Sequence, residues 1–241
     1  VTGETLGGPG LAAHLEFANL AVDAREADIR LLCLEAERAG VPVVVVNPVN
    51  VALAASHARG AALRLTAAVA YPIGAYPPEI KALEIEDAIA NGADEIMMLM
   101  AVGPFVEGLY PQTEAEMAAL VRAAGGRTTK LIVEVGALTH EQKIRAVAMA
   151  AEAGIDYAVT STGFTPGGFP EGTADDVALL AGAAGGGMGV IAAGHIDSSA
   201  QARALLEAGA ARVCTLAGAG IRRELEEAAR TPGRSITHET H

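Results

Sequence analysis

A chain of 241 residues that is 51% hydrophobic, 19% charged and 3% aromatic is long enough for one domain with a large core, and too apolar to be disordered. Two cysteines, Cys33 and Cys214, exclude a scaffold built on disulfides. Seventeen basic residues against twenty-nine acidic ones give a net charge of −12, which argues against nucleic acid or an anionic membrane as a partner.

Short apolar runs alternate with longer amphipathic patterns along the chain. A strand is expected in HLEFANL (14–20), followed by a helix in ADIRLLCLEAERAG (27–40) that buries Ile29, Leu32, Cys33 and Ala36 and stops at Gly40. PVVVVNP (42–48) is a buried strand bounded by prolines, and LRLTAAVAYP (63–72) is the next. PPEIKALEIEDAIANG (77–92) opens on prolines and closes on Asn-Gly, as a helix does. DEIMMLMAV (94–102) is a strand, PQTEAEMAALVRAAGG (111–126) a helix and KLIVEVG (130–136) a strand. THEQKIRAVAMAAEAG (139–154) begins with a capping box from Thr139 to Gln142. The strands DYAVTST (156–162), GMGVIAAG (187–194) and RVCTLAG (212–218) follow, separated by helices at 173–184 and 198–210, with a last helix at 220–230.

Eight strands with helices between them call for right-handed crossovers, and their number and spacing fit a single (β/α)8 TIM barrel over 1–241. No GxGxxG follows the first strand, so a dinucleotide-binding open sheet is disfavoured. The Gly-rich stretch at 181–189 reads as a loop, and residues 1–10 and 231–241 as flexible ends. The first ten residues carry neither the basic start nor the apolar stretch of a signal peptide, and no apolar run reaches the ~18 residues of a membrane span. A cytoplasmic protein is expected. In a TIM barrel the chemistry sits at the C-terminal strand ends. Here those are expected at 16–19, 45–48, 69–74, 97–103, 134–136, 159–163, 191–197 and 215–218.

These segments resemble deoxyribose-phosphate aldolases over nearly the whole chain. HLEFANL is similar to the family's Asp-His-Thr strand, and VVVVNP to its Cys-Val-Asn-Pro strand. AYPIGAYPPEIKALE resembles Gly-Phe-Pro-Leu-Gly followed by Val-Lys-Ala-Leu-Glu, and NGADEIMMLMAVG resembles Gly-Ala-Asp-Glu-Ile-Asp-Met-Val-Ile-Asn-Ile-Gly. KLIVEVGALT is similar to Lys-Val-Ile-Leu-Glu-Thr-Gly-Leu-Leu-Thr. VTSTGF and VIAAGHI resemble the family's two lysine motifs, Lys-Thr-Ser-Thr-Gly-Phe and Lys-Ala-Ala-Gly-Gly-Ile. The resemblance implies Schiff-base chemistry by a lysine on the sixth strand, aided by a lysine on the seventh and an aspartate on the fourth. Those positions are Val159, Ile191 and Met97 here, and the family cysteine of the second strand is Val45. An iminium requires a free amine. The chain has only three lysines: Lys81 and Lys143 fall in predicted helices, and Lys130 falls at the start of a predicted strand, all remote from the catalytic face. The turns that hold phosphate in the family are Gly194-His195-Ile196-Asp197 and Cys214-Thr215-Leu216-Ala217 here, with an acid in place of arginine and no serines.

The replacements run from polar to apolar, and they admit two readings. In the first, the site is remodelled for an unphosphorylated, largely apolar, carbonyl-bearing small molecule, with carbon–carbon or ring-forming chemistry by acid–base catalysis. In the second, the chain is an inactive homologue that keeps the barrel for binding a partner; residual aldolase activity is a remote third. Glu16, Glu134 and His195 are the candidate acids and bases. Each also has a structural reading: a carboxylate satisfied inside the barrel, or a histidine filling a vacated phosphate site. Asn19, Val45, Asn47, Met97, Val159, Ser161, Thr162, Ile191, Asp197 and Thr215 are the candidate substrate contacts. Tyr71, Tyr157 and Phe164 either line a pocket or pack. No second histidine accompanies His195 at another strand end, since His57 and His140 fall in or beside helices and His238 and His241 in the tail, so neither a metal nor a cofactor is expected. The resemblance implies a homodimer or a larger homo-oligomer.

Overall fold

The computed structural model describes residues 8–58, 60, 62–164 and 172–230. Its eight strands close into a barrel in sequence order, every pair parallel. They are β1 (Leu15–Asn19), β2 (Val43–Val46), β3 (Arg64–Val69), β4 (Glu95–Leu99), β5 (Thr128–Ile132), β6 (Tyr157–Val159), β7 (Gly189–Ala192) and β8 (Arg212–Thr215). The helices are α1 (Gly8–Ala12), α2 (Glu26–Ala39), α3 (Val51–Ala58), α4 (Pro78–Ala90), α5 (Val102–Val106), α6 (Tyr110–Ala124), α7 (His140–Glu152), α8 (Ala174–Ala183), α9 (Ser199–Glu207) and α10 (Gly218–Arg230). This is a (β/α)8 TIM barrel. The expectation of flexible ends falls largely on residues 1–7 and 231–241, which lie outside the described residues, as do His238 and His241. Residues 8–10 belong to α1, whose Leu11 and Ala12 are buried.

Strand alternation divides the core in two. Residues such as Phe17, Val44, Ile96, Leu131 and Val213 face outward into the helix layer. Their neighbours Ala18, Val45, Met97, Ile132, Val159, Ile191 and Cys214 face the barrel axis. Four valines in a row make β2 because both of its faces are buried. The expected Thr139 cap forms, its hydroxyl accepting from the Gln142 amide while the Gln142 side chain accepts from the Thr139 amide. Thr173 and Ser198 cap α8 and α9 in the same way, which satisfies amides that a helix start otherwise leaves open.

Candidate functional site

The axis-facing side chains fall into two groups along the barrel. At the N-terminal end, Lys130 is fully buried and its three donors are all used: Glu16 at 2.7 and 2.8 Å, Glu95 at 2.7 Å and the Thr66 hydroxyl at 2.9 Å. Arg212 donates to Glu16 and Glu95 at 3.0 Å, and stacks over the Tyr157 ring at 4.5 Å. Desolvation works to raise the Glu95 carboxyl, yet Lys130, Arg212 and Arg64 together hold it below its usual value. Glu16, expected among the strand C-terminal ends, is the second residue of β1 and belongs to this cluster at the opposite end. Lys130, expected at the start of its strand, is the middle residue of β5. Both differences have one cause: alternation fixes which way a side chain points, whereas barrel stagger fixes how far along the axis it lies.

The C-terminal end, the mouth, is apolar inside and hydrogen-bonded at its edge. Leu20, Met97, Ile132 and Cys214 line a cavity of about 20 Å³, with Tyr71 and Leu216 among its walls. That is barely more than the volume a single water needs. Val45, Val159 and Ile191 are fully buried around the axis. Tyr71 closes the mouth: it follows β3, yet its hydroxyl donates to the Thr162 carbonyl beyond β6 at 2.8 Å. Its ring meets Phe164 edge-on at 5.8 Å. The residue before it, Ala70, holds φ +56°, with its amide donating to Glu84 and its carbonyl accepting from Gly74. Gly74 has no room for a side chain, because a Cβ would lie 2.6 Å from the Met100 carbonyl. Burial pushes the Cys214 thiol far up, which leaves it inert.

Glu134 follows β5 with φ +56°, a backbone conformation uncommon for a side-chain-bearing residue. Its carboxylate accepts from the Ser161 hydroxyl at 2.9 Å and from the Thr162 hydroxyl at 2.6 Å. Those hydroxyls in turn accept from the Gly163 and Phe164 amides. Glu134, Ser161 and Thr162 are thus brought together as one buried unit that shapes the turn after β6. His195 is exposed in the turn beyond β7, not on the strand, and Asp197 is exposed beside it. The Thr215 hydroxyl is occupied, donating to the Ile196 carbonyl and accepting from the Ala217 amide. Asn19 ends β1 and accepts from the Ala21 amide, while Asn47 starts the short 3-10 turn Pro48–Asn50.

The other two lysines lie outside the barrel axis. Lys81 of α4 is buried and donates to the Leu99 carbonyl at 2.9 Å and to Glu116, which also accepts from the Ala101 amide. Burial pulls the Lys81 ammonium below its ordinary value. Lys143 pairs with Asp176 at 2.7 Å, tying α7 to α8. Among the described residues no group of three or more His, Cys, Asp or Glu is placed to hold a metal ion. No described helix is long and apolar enough to cross a membrane.

Sequence reasoning missed one more feature. A cleft of about 420 Å³ opens beside the mouth, between the end of β1, α2 and the start of α10. Its sequence signal, Leu31 beside Leu32, which was expected in the buried stripe and is only partly buried, is indistinguishable from ordinary helix packing.

No protein-family model matches the chain. It is 39% identical over 212 residues to the deoxyribose-phosphate aldolase of Geobacillus sp. (strain WCH70), covering 88% of this chain and 94% of that one. This chain belongs to the deoxyribose-phosphate aldolase family. The Deinococcus radiodurans enzyme of that name is 38% identical over 211 residues, with 88% of this chain and 94% of the other covered. Among solved structures, the aldolase QR15 matches at TM-score 0.86 and 30% identity over 91% of this chain and 97% of its own. A tetrameric deoxyribose phosphate aldolase from Aeropyrum pernix matches at TM-score 0.84 and 25% identity over 94% and 99%. The family makes this a lyase-type aldolase fold. The pairings described above then fall where its motifs run through the chain.

Proposed function

We propose that the chain is a lyase or cyclase that works without a Schiff-base lysine, on an unphosphorylated and largely apolar carbonyl compound, by acid–base catalysis. One observation carries this reading: Val159 and Ile191 face the axis where the resemblance puts the reacting amines, while each of the three lysines is engaged elsewhere. Valine and isoleucine cannot add to a carbonyl. What remains at the mouth is a small set of polar groups around an apolar space: the Tyr71 hydroxyl, the buried Glu134 unit and His195 on the rim.

In this reading His195 takes the proton from the carbon next to the substrate carbonyl, since it lies in the turn directly beyond β7. His14 bonds to the Ala211 carbonyl at the far end, and His57 and His140 lie on helices. The electron pair moves onto the carbonyl oxygen, which accepts from the Tyr71 hydroxyl once that group turns away from Thr162. Glu134 positions Ser161 and Thr162 beneath. Asp197 and the loss of serine hydroxyls disfavour a phosphate. A cytoplasmic placement and a homo-oligomer belong to the same proposal; the latter is supported by exposed Ile80 and Leu83 on α4.

The test is deuterium exchange at the α-carbon of phenylacetone, followed by NMR, beside borohydride trapping read by intact mass. Acceleration that falls about a hundredfold in His195→Ala, with no trapped adduct, is the expected result. A stoichiometric adduct sinks the lysine-free mechanism. Absence of exchange favours a second reading, a non-catalytic homologue, which the small cavity beneath Tyr71 also supports.

A further inference from the structure

The cleft beside the mouth differs from the axial cavity in size, in wall and in access. Its volume of about 420 Å³ falls in the range of small-molecule sites, whereas the axial cavity holds about 20 Å³. Its walls are mainly apolar, and three of them, Leu31, Phe164 and Leu216, are each at least half exposed. Leu216 lies where the family turn carries serine. The two spaces share Ala18, Leu20 and Leu216 as walls, so they adjoin along one edge of the mouth.

Among the described residues three polar side chains line the cleft, and they restrict what it accepts. Asp28 and Glu35 are its ionisable groups, and no arginine, lysine or histidine joins them among the described residues. Glu35 is paired with Arg222, whereas the Asp28 carboxylate accepts from the Arg25 amide at the rim. An anion entering this apolar space beside two carboxylates loses hydration and meets no cationic side chain among the described lining residues. The third polar group is Asn19. Its amide oxygen accepts from the Ala21 amide, which leaves the amide nitrogen as a donor with no partner among the described residues.

We infer that this cleft binds the body of a neutral, apolar carbonyl compound, entering sideways between α2 and α10, with its oxygen directed to the Asn19 amide at the edge of the mouth. This deepens the proposed function and rests on it for the reaction, but the binding stands separately. Access from the side also removes the need for Tyr71 to open fully, because the reacting end alone has to pass Leu20 and Leu216.

A matched pair of fluorophores tests it: phenylnaphthylamine, which is neutral, and anilinonaphthalene sulfonate, which has the same rings and a negative charge. The neutral probe is expected to bind at least about tenfold more tightly. Leu31→Asp and Leu216→Asp each weaken it by about tenfold or more, because both side chains lie half exposed on the wall and the fold survives their change. Ile144→Asp on α7, remote from the cleft, leaves binding unchanged. The neutral ketone probe acetyl-dimethylaminonaphthalene adds a second readout, since Asn19→Leu weakens it and spares phenylnaphthylamine. Equal binding of the charged and neutral probes, or binding indifferent to both aspartate substitutions, overturns the assignment. Probe binding as expected with no exchange of phenylacetone refutes the proposed reaction alone. Exchange that is unaffected by either aspartate substitution refutes the cleft alone.

Discussion

At the N-terminal end of the barrel, Glu16, Glu95, Lys130 and Arg212 share one closed set of ion pairs with Thr66 and Tyr157. Two residues further along the same strands, the side chains facing the axis are Ala18, Met97, Ile132 and Cys214. The strands are common to both regions, so the contrast is one of residue choice and not of backbone. Charge persists where it is fully paired, in a set that draws on six of the eight strands. It is missing from the axis-facing positions at the mouth, where the family resemblance places reacting amines and a carboxylate. Structural and chemical requirements on one barrel can therefore diverge independently, because they act on different layers of it.

The largest effect should come from removing the cation that the lower cluster is built around. Lys130→Met leaves Glu16 and Glu95 facing each other in a dry interior, and an expected loss of about 3–5 kcal/mol is measurable by urea unfolding. Acid should reproduce part of this. The Glu95 carboxyl is held below its ordinary value of 4.5 in the folded chain, so its contribution is complete above that pH and is lost as the pH falls through the lowered value. The acid-unfolding limb of Lys130→Met should accordingly move to higher pH than in the unaltered chain.

Changes at the mouth should be smaller. Tyr71→Phe removes the bond to the Thr162 carbonyl and should cost about 1 kcal/mol, while enlarging access to the axial cavity, which solvent exposure of Cys214 to a thiol reagent would report. A loss as large as that at Lys130 would mean that the two ends are not separable. The smallest effect is expected at Ala70, whose φ of +56° suits glycine. Ala70→Gly should gain about 0.5 kcal/mol, the relief of the left-handed strain exceeding the added freedom of the unfolded chain. A drop in melting temperature would contradict that.

The barrel was legible because its cues are local: the valine run of β2, the Thr139–Gln142 cap and the Gly40 stop each depend on a few neighbouring residues. The axis-facing positions Val45, Met97, Val159 and Ile191 were legible for the same reason, through alternation and motif alignment. The height of Glu16 and Lys130 was not, since residues 114 apart meet only when stagger is known. Nor was the role of Tyr71, whose partner lies 91 residues away across the mouth. His195 lies past the end of β7, as the strand-end reading has it, but its exposure was not legible, since β7 stops at Ala192 and three residues of turn are enough to carry a side chain out to solvent.

The fate of the three lysines has a practical side. Lys81 and Lys130 are buried, and only 18% of the Lys143 side chain is exposed, next to an aspartate. Amine-directed labels and cross-linkers therefore find almost no side chain to attack while the barrel is closed, and gain three when it opens. Lysine modification followed by mass spectrometry thus reads unfolding of this molecule directly, without an engineered probe.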